Sequence, residues 1–547
     1  MSLKGAEPGE GYALEEHDYV VVGAGPGGCV AASRLSENPR VSVALIEAGP
    51  DRRGLLGSCT AAGTITLAPR KNASNWAFDT LPQTGLNGRQ DFHPHGRGLG
   101  GGSAINTLMY MRGHRSDYDE WAALGNPGWS YDEVLPYFRK AENNQTHRDE
   151  YHGNEGPVWV EELRTDNPYH DIVKQACAEA GWPFNPDFNG VEQEGYNTTQ
   201  VMMKNGERWH VGKAYIHPCL GVRPNLTLHT ETDCFRILFE GRRAVGVEVI
   251  ADRGRRQIRC RREVIVAAGG LLSAKLLLLS GVGDGQELKS FGIPVVHDLP
   301  GVGRNLMDHL DFIMAFNIPG DPNLLGFSPV AALQMARSVQ RYRKDRRGML
   351  ATNFAELTGF MRLGPDSPKP EIQYEFVIAI AMNHGRTMAA RHGMSCHVLL
   401  LHPKSRGAVR LASRDFRDAP LIDFNYLAEP DDLATLVAGA KQTARVFQTP
   451  VFKRRVKRDL FTSACQTDED WARVIRERAG TNYHPVGTCQ MGSGPNAVVD
   501  ARLRVHGVEG LRVVDSSIMP KIVGGNTMAP TIMIGEKGAD MIKADWC

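Results

Sequence analysis

Residues 18–28, Asp18-Tyr19-Val20-Val21-Val22-Gly23-Ala24-Gly25-Pro26-Gly27-Gly28, leave a chain few ways to fold. The apolar, β-branched run ending at Val22 reads as a buried parallel strand. Gly23 permits a tight turn out of that strand, Gly25 lets the backbone approach a pyrophosphate, and Gly28 lets helix and strand pack closely. Small and apolar residues then recur at helical spacing over Cys29–Asn38, and Val41–Glu47 is a second strand. Together they form a βαβ unit of about 30 residues. The helix start offers free N–H groups and a positive dipole to phosphates. Glu47, at the end of the second strand, stands where a carboxylate accepts hydrogen bonds from a ribose. Such a unit binds a dinucleotide, but the turn alone does not separate FAD from NAD.

The chain has 547 residues, 42% of them hydrophobic, enough for a large core. At roughly 100–200 residues per domain it holds two to four lobes. Its 63 basic and 62 acidic residues leave a net charge of +1, without the basic footprint of a nucleic-acid binder. Ten cysteines (Cys29, Cys59, Cys177, Cys219, Cys234, Cys260, Cys396, Cys465, Cys489, Cys547) are scattered without a CxxC pair. The spacing offers no metal framework and fits reduced thiols in the cytosol. The polar, acidic start of the chain has neither signal-peptide nor transit-peptide character. The strongest apolar run, Leu271–Gly283, is short and contains Lys275, so it is not expected to span a bilayer. A cytoplasmic protein is expected, with peripheral attachment at a membrane surface as the alternative.

A Gly-rich stretch, His93–Asn106, follows the βαβ unit, and Asp117–Asn143 reads as two helices around Asn126-Pro127-Gly128. Ala244–Ile250 and Glu263–Gly270 read as strands, and Pro430–Phe447 as an amphipathic helix with Pro and two Asp at its start. Leu511–Pro520 is a strand and turn, and Gly524–Ile542 leads into a final helix.

These segments resemble the glucose-methanol-choline (GMC) oxidoreductases. The first family signature is met from Gly96-Arg97-Gly98-Leu99-Gly100-Gly101-Gly102-Ser103-Ala104-Ile105-Asn106 through Tyr110, Gly113 and Asp119. The second, in Gly269–Gly283, is met in part: Gly270 and Ala274 replace the usual small polar residue and proline, which implies a slightly altered helix start. Tyr483-His484-Pro485-Val486-Gly487-Thr488-Cys489, Asp515-Ser516 and Gly525-Asn526-Thr527 match the family's active-site segments. The resemblance implies an α/β, two-lobed fold: a Rossmann-like FAD-binding lobe (15–159, 213–310, 466–547) and a substrate lobe with a mostly antiparallel sheet (160–212, 311–465). It implies FAD contacts at Gly23, Gly25, Gly28, Glu47, Ala48, Trp76, Arg97 and Ala268, and flavin-ring contacts along Gly101, Gly102, Asn106 and Thr107. Cys234 falls where a valine backbone usually meets the adenine, and Asp515, Ser516, Asn526 and Thr527 would close over the cofactor. In choline oxidases a histidine just before the signature's asparagine is joined to the flavin. Here that position is Ile105, so non-covalent FAD is expected.

Alcohol oxidation removes a proton from oxygen and a hydride from carbon, and imidazole suits the proton step because it titrates near neutrality. His484 matches the family's base. Its partner position is Asn526, which cannot act as a base but can hydrogen-bond the substrate oxygen. The expected reaction takes a primary alcohol to an aldehyde, with oxygen, a quinone or another carrier as electron acceptor. Glu356 corresponds to an acid in choline-oxidising members, and Tyr483 supplies an aromatic face that suits a cation. A structural salt bridge at Glu356 is the competing reading. Rival activities on this fold are a hydroxynitrile lyase and a non-catalytic flavoprotein; an NAD enzyme is a further rival. His484 argues against a photodecarboxylase. The alcohol is left open, as is assembly into a homo-oligomer.

Overall fold

A computed structural model describes residues 15–546 apart from 253, 327, 389 and 390, so the polar lead 1–14 and Cys547 lie outside the described residues. In chain order, β1 (Glu15–Val22), α1 (Pro26–Leu35) and β2 (Val43–Ile46) form the opening unit. Strand β3 (Gly195–Thr198) comes next. It is followed by β4 (Leu226–His229), β5 (Asp233–Glu240), β6 (Arg243–Ala251), β7 (Gly254–Val266) and helix α2 (Gly269–Leu279). The middle supplies β8 (Leu310–Asn317), β9 (Ala355–Met361), β10 (Ile372–Val377), β11 (Gly393–Leu400) and helix α3 (Pro430–Phe447). Short strands β12 (Arg458–Asp459), β13 (Gly480–Thr481) and β14 (Leu511–Val513) precede the final helix α4 (Met528–Asp545).

The architecture is α/β, built on two seven-stranded sheets. The first runs β4-β2-β1-β7-β6-β5, with β14 beside β7. Its centre is parallel, Val20 pairing with Ala44 on one side and Val264 on the other. Tyr19–Val22 are buried throughout, the near-continuous apolar run required of a parallel strand covered on both faces. Strands β5, β6 and β7 form an antiparallel meander at the edge.

The second sheet runs β12-β8-β11-β10-β9-β3, with β13 beside β8, and its pairs are antiparallel. In β10 the side chains alternate as a strand demands. Ile372, Tyr374 and Phe376 belong to the apolar core that includes residues of α3, and the Tyr374 hydroxyl donates to the Gly439 carbonyl at 3.2 Å. Gln373 and Glu375 face the other way, and Glu375 meets the cavity described below. Among the described residues, no helix is long and apolar enough to cross a membrane.

Helix α4 is buried along most of its length against α1 and joins the two ends of the chain. Its buried Glu536 accepts from the Arg34 guanidinium at 2.8 Å and from the Tyr215 hydroxyl at 2.8 Å. Removing one partner of such a pair strands a buried charge, at a cost of about 3–5 kcal/mol. The closest approach is between backbones. A Cβ on Gly27 would lie 1.9 Å from the Val514 carbonyl oxygen, just after β14. Neither backbone can retreat without breaking its own pairing, so Gly27→Ala should lower stability by about 1–3 kcal/mol. Gly364→Ala, where an added Cβ meets nothing within 4 Å, should stay within about 0.5 kcal/mol of the parent. Thermal denaturation of both variants tests the contact, and an unchanged midpoint for Gly27→Ala would remove it.

Candidate active site

A cavity of about 1000 Å³ is lined from both sheets, by β1 and the turn after it on one side and by β10 and β11 on the other. It gathers residues from the whole chain. Gly23, Gly25, Glu47, Ala48, Trp76, Arg97, Gly101, Gly102, Asn106, Thr107, Cys234, Ala268, Tyr483, His484, Asp515, Ser516, Asn526 and Thr527 all line it. Two residues singled out in the sequence do not. Gly28 lies behind the turn, where a Cβ would sit 1.8 Å from the Gly23 carbonyl oxygen, so its work is packing. Glu356 is turned away from the cavity: Ala355 lines it, while the buried Glu356 carboxylate pairs with His170 at 2.9 Å.

At the glycine-turn end, Gly23 takes φ +99°, open to glycine and strained for other residues. Helix α1 starts at Pro26 with no side-chain cap, so its first N–H groups have no acceptor within the helix. The Glu47 carboxylate accepts from three backbone N–H groups: Ala24 at 2.9 Å on Oε2, and Gly49 at 2.9 Å and Gly98 at 2.8 Å on Oε1. Burial pushes its pKa up against these bonds. A carboxylate has about four acceptor positions, so one remains on Oε2 for a ligand hydroxyl. Glu47 thus ties the first turn to the Gly-rich stretch before it meets any ligand. Arg97 stacks on Trp76, its guanidinium carbon 4.8 Å from a ring centroid. The Asp515 side chain is spent on protein, accepting from Gly269 N–H at 2.8 Å, Ser273 hydroxyl at 2.5 Å and Ser517 N–H at 2.8 Å. It fixes the start of α2 against the C-terminal loop, and any ligand contact it makes is through its backbone.

At the far end, His484 and Asn526 meet, with His484 Nε2 3.3 Å from Asn526 Nδ2. His484 follows β13, which pairs with β8: Thr481 lies opposite Leu310 and Gly480 opposite Asp311. That register sets His484 beside Asp308 and His309, just ahead of β8. The His484 N–H donates to Asp308 Oδ1 at 2.7 Å, and His484 Nδ1 lies 2.9 Å from His309 Nδ1. Burial raises Asp308 to about 7.

Hydrogen-bond polarity fixes the tautomers. His309 Nε2 contacts the carbonyl oxygens of Leu401 at 3.1 Å and Val523 at 3.0 Å. Carbonyls only accept, so Nε2 carries the proton. Burial lowers the His309 pKa to about 3, so the ring is neutral and its Nδ1 accepts. His484 Nδ1 must then be the donor. Burial, with His309 and His93 adding to it, also holds His484 well below its ordinary pKa, so this ring is neutral too. Its Nε2 is therefore unprotonated, and at the cavity wall it accepts from the Asn526 amide N–H.

Sequence reasoning missed His309, Gln373, Glu375 and His397. Glu375 and His397 line the cavity, and Gln373 Nε2 donates to Asn526 Oδ1 at 3.0 Å. The usable signal was the polar pair in Ile372-Gln373-Tyr374-Glu375-Phe376, two polar residues on one face of an otherwise apolar strand.

Comparison with known proteins agrees with this geometry. The GMC oxidoreductase family profile matches residues 17–311 in its N-terminal part and 403–535 in its C-terminal part. The chain is 42% identical to an alcohol dehydrogenase [acceptor] of Pseudomonas putida, over 96% of this chain and 95% of that protein. It is 39% identical to an oxygen-dependent choline dehydrogenase of Brucella anthropi, over 96% and 95% respectively. The crystal structure of pyridoxine 4-oxidase from Mesorbium loti superposes with a TM-score of 0.85 at 29% identity, covering 96% of this chain and 98% of that one. The chain belongs to the GMC oxidoreductase family and is an enzyme acting on CH–OH groups, with FAD as the cofactor the family implies.

The residues present fit that cofactor. At Gly102 an added Cβ would meet nothing within 4 Å, yet the residue lines the cavity, so a methyl there projects into ligand space. Gly102→Ala should therefore leave the melting temperature of the FAD-free protein unchanged and weaken FAD binding by about 10- to 100-fold, the effect of about 1–3 kcal/mol of steric overlap. Titration of the apoprotein with FAD measures it; unaltered affinity would show that Gly102 does not face the cofactor.

Proposed function

We propose that the protein oxidises a primary alcohol to an aldehyde, with His484 as the base and Asn526 holding the alcohol oxygen. The observation that carries this reading is the unprotonated Nε2 of His484 at the cavity, accepting from the Asn526 amide at 3.3 Å. An alcohol oxygen that reaches both from the cavity takes over this contact: it donates its proton to Nε2 and accepts from Asn526 Nδ2. Such positioning brings the reacting oxygen to its base before any bond breaks. The imidazolium formed keeps Nδ1–H on His309, whose acceptor nitrogen stabilises the new charge. FAD, when bound, supplies the hydride acceptor. The electron acceptor is oxygen or a carrier such as a quinone, and the relatives' names include both an oxygen-dependent and an acceptor-dependent type.

The same reading assigns 15–159, 213–310 and 466–547 to the cofactor lobe and 160–212 and 311–465 to the substrate lobe. Sheet membership supports it, β13 being the strand that crosses the division. FAD is held without a covalent bond, because Ile105 offers no nucleophile at the position where relatives attach it.

His484→Ala or His484→Gln should cost about 10²- to 10⁴-fold in turnover, the usual share of a general base, with FAD retained. His309→Leu removes the acceptor that fixes the tautomer and should lower kcat, whereas His309→Asn keeps an acceptor and should retain more of it. Because burial lowers the His484 pKa, the ring stays unprotonated, and competent, below the pH at which an ordinary histidine charges. His484 should therefore put no acid limb near pH ~6.5 into kcat/KM. Anaerobic bleaching of the flavin by choline, benzyl alcohol or 1-hexanol is the primary test, and a flavin that none of them reduces would overturn the reading. After acid precipitation the flavin should remain in the supernatant.

A further inference from the structure

One amide in the active site can face either way, and the reading above requires a single orientation. Asn526 must turn its NH₂ toward His484, so that the N–H that now donates to His484 Nε2 can donate to the alcohol oxygen. With the oxygen there instead, the alcohol would lose its hydrogen bond and His484 Nε2 would face another lone pair. Nothing in an asparagine side chain sets this choice, because its two ends are alike in shape and opposite in polarity.

The surroundings set it. Asn526 Oδ1 faces Gln373 Nε2 at 3.0 Å, and Asn526 Nδ2 faces Glu375 Oε1 at 3.3 Å. Gln373 has the same ambiguity, and it too is resolved at Glu375, whose Oε1 lies 3.3 Å from Gln373 Nε2. Both amide groups thus turn their donors to one carboxylate oxygen. Gln373 and Glu375 project from the same face of β10, and Gln373, Glu375 and Asn526 are all buried. An ionised carboxylate can only accept, so it is the one member of the trio with unambiguous polarity.

We propose that Glu375 is a positioning residue that sets the donor direction of Asn526, and so makes the site bind the alcohol oxygen as an acceptor next to a bare His484. The proposal rests on the roles assigned above to Asn526 and His484. It requires Glu375 to be ionised in the working enzyme. The groups facing it are His397 from β11, Asp311 from β8, Asn482 and Tyr483 just after β13, Gln373 on β10 itself, and Asn526. His397 is itself paired to Asp311 at 2.6 Å. Burial raises the Glu375 pKa, opposed by His397 and the hydrogen bonds from Asn526 and Asn482. As pH falls through that raised pKa, the carboxyl gains a proton, becomes a donor on one oxygen and stops dictating the direction of either amide. Activity is then present above the transition and lost below it.

The experiment is a double-mutant cycle on the FAD-loaded enzyme, with anaerobic flavin reduction by benzyl alcohol, 1-hexanol and choline as readout. Glu375→Gln should lower the rate of flavin reduction by about 10- to 100-fold, the scale of a misplaced reacting group, with FAD content and melting temperature kept. In the Asn526→Ala background the same substitution should cost less than about two-fold, since its effect passes through Asn526. Glu375→Gln should remove the share of the acid limb of kcat/KM that Glu375 contributes, leaving any set by Asp308 at about 7. Gln373→Met, which removes the donor to Asn526 Oδ1, is the second arm should Glu375→Gln lose its flavin, and it should show the same dependence on Asn526. Full rates in Glu375→Gln and Gln373→Met, additive losses in the double variants, or a pH profile in Glu375→Gln identical to the parent's would each overturn the proposal. A fully active Asn526→Ala enzyme would instead overturn the role of Asn526 on which it rests.

Discussion

The contact on which the rest depends is the approach of the first helix to the C-terminal strand end, where Gly27 meets the Val514 carbonyl with no room for a side chain. It is a contact of backbone with backbone, so it has almost no freedom to relax. Through it, the turn suited to the phosphates and the loop carrying Asp515 and Ser516 become one rigid surface. Asp515 extends that surface to the start of α2, and Glu47 extends it to Gly98 in the Gly-rich stretch. Four segments far apart in the chain are thereby locked around one end of the cavity, by main-chain geometry and two buried carboxylates.

The other end is built on a different principle. Polarity is passed along a chain of hydrogen bonds in which each member has only one consistent choice. Carbonyls of Leu401 and Val523 place a proton on His309, His309 places one on His484, and His484 is left with its lone pair in the cavity. From the opposite side Glu375 directs the donors of Gln373 and Asn526. The two sequences of choices converge on the contact between His484 and Asn526, where an amide N–H meets an unprotonated imidazole nitrogen. A satisfied polar network in a low-dielectric interior fixes one arrangement strongly, because every alternative leaves a buried group unpaired.

This difference explains how much the amino-acid sequence disclosed. The backbone-driven end was legible because its signals are local: a strand, a glycine turn, a helix and an acid at set spacing. Glu47 and Gly25 line the cavity where that spacing puts them. The resemblance to a known family carried His484 and Asn526, which no local pattern marks. Glu356 shows the limit. It and Glu375 are both glutamates in apolar strands of one sheet, and composition treats them alike. Only the strand pairing separates them: Glu375 lies in register on β10 and meets the cavity, whereas Glu356 falls at an irregularity between Ala355 and Leu357 and turns toward His170. His309 was equally silent, since its role arises from the pairing of β8 with β13, segments about 170 residues apart in the chain.

That pairing also explains why the chemistry sits where the sheets join. Thr481 is paired with β8 of the antiparallel sheet, while Cys489 N–H donates to the Ser517 carbonyl at 2.9 Å, on the side of the parallel sheet. The segment 480–491 is therefore sewn to one sheet at its start and to the other at its end, with His484 between the two seams. Asn526 is held in the same way, by its own chain just before α4 and by Gln373 and Glu375 of the second sheet. Any sliding of one sheet over the other would change the distance between base and amide at once. A displacement of about 1 Å at such a pair costs on the order of 100-fold in rate. On the function proposed above, rigid joining of the two sheets serves turnover through geometry, by keeping His484 and Asn526 in register.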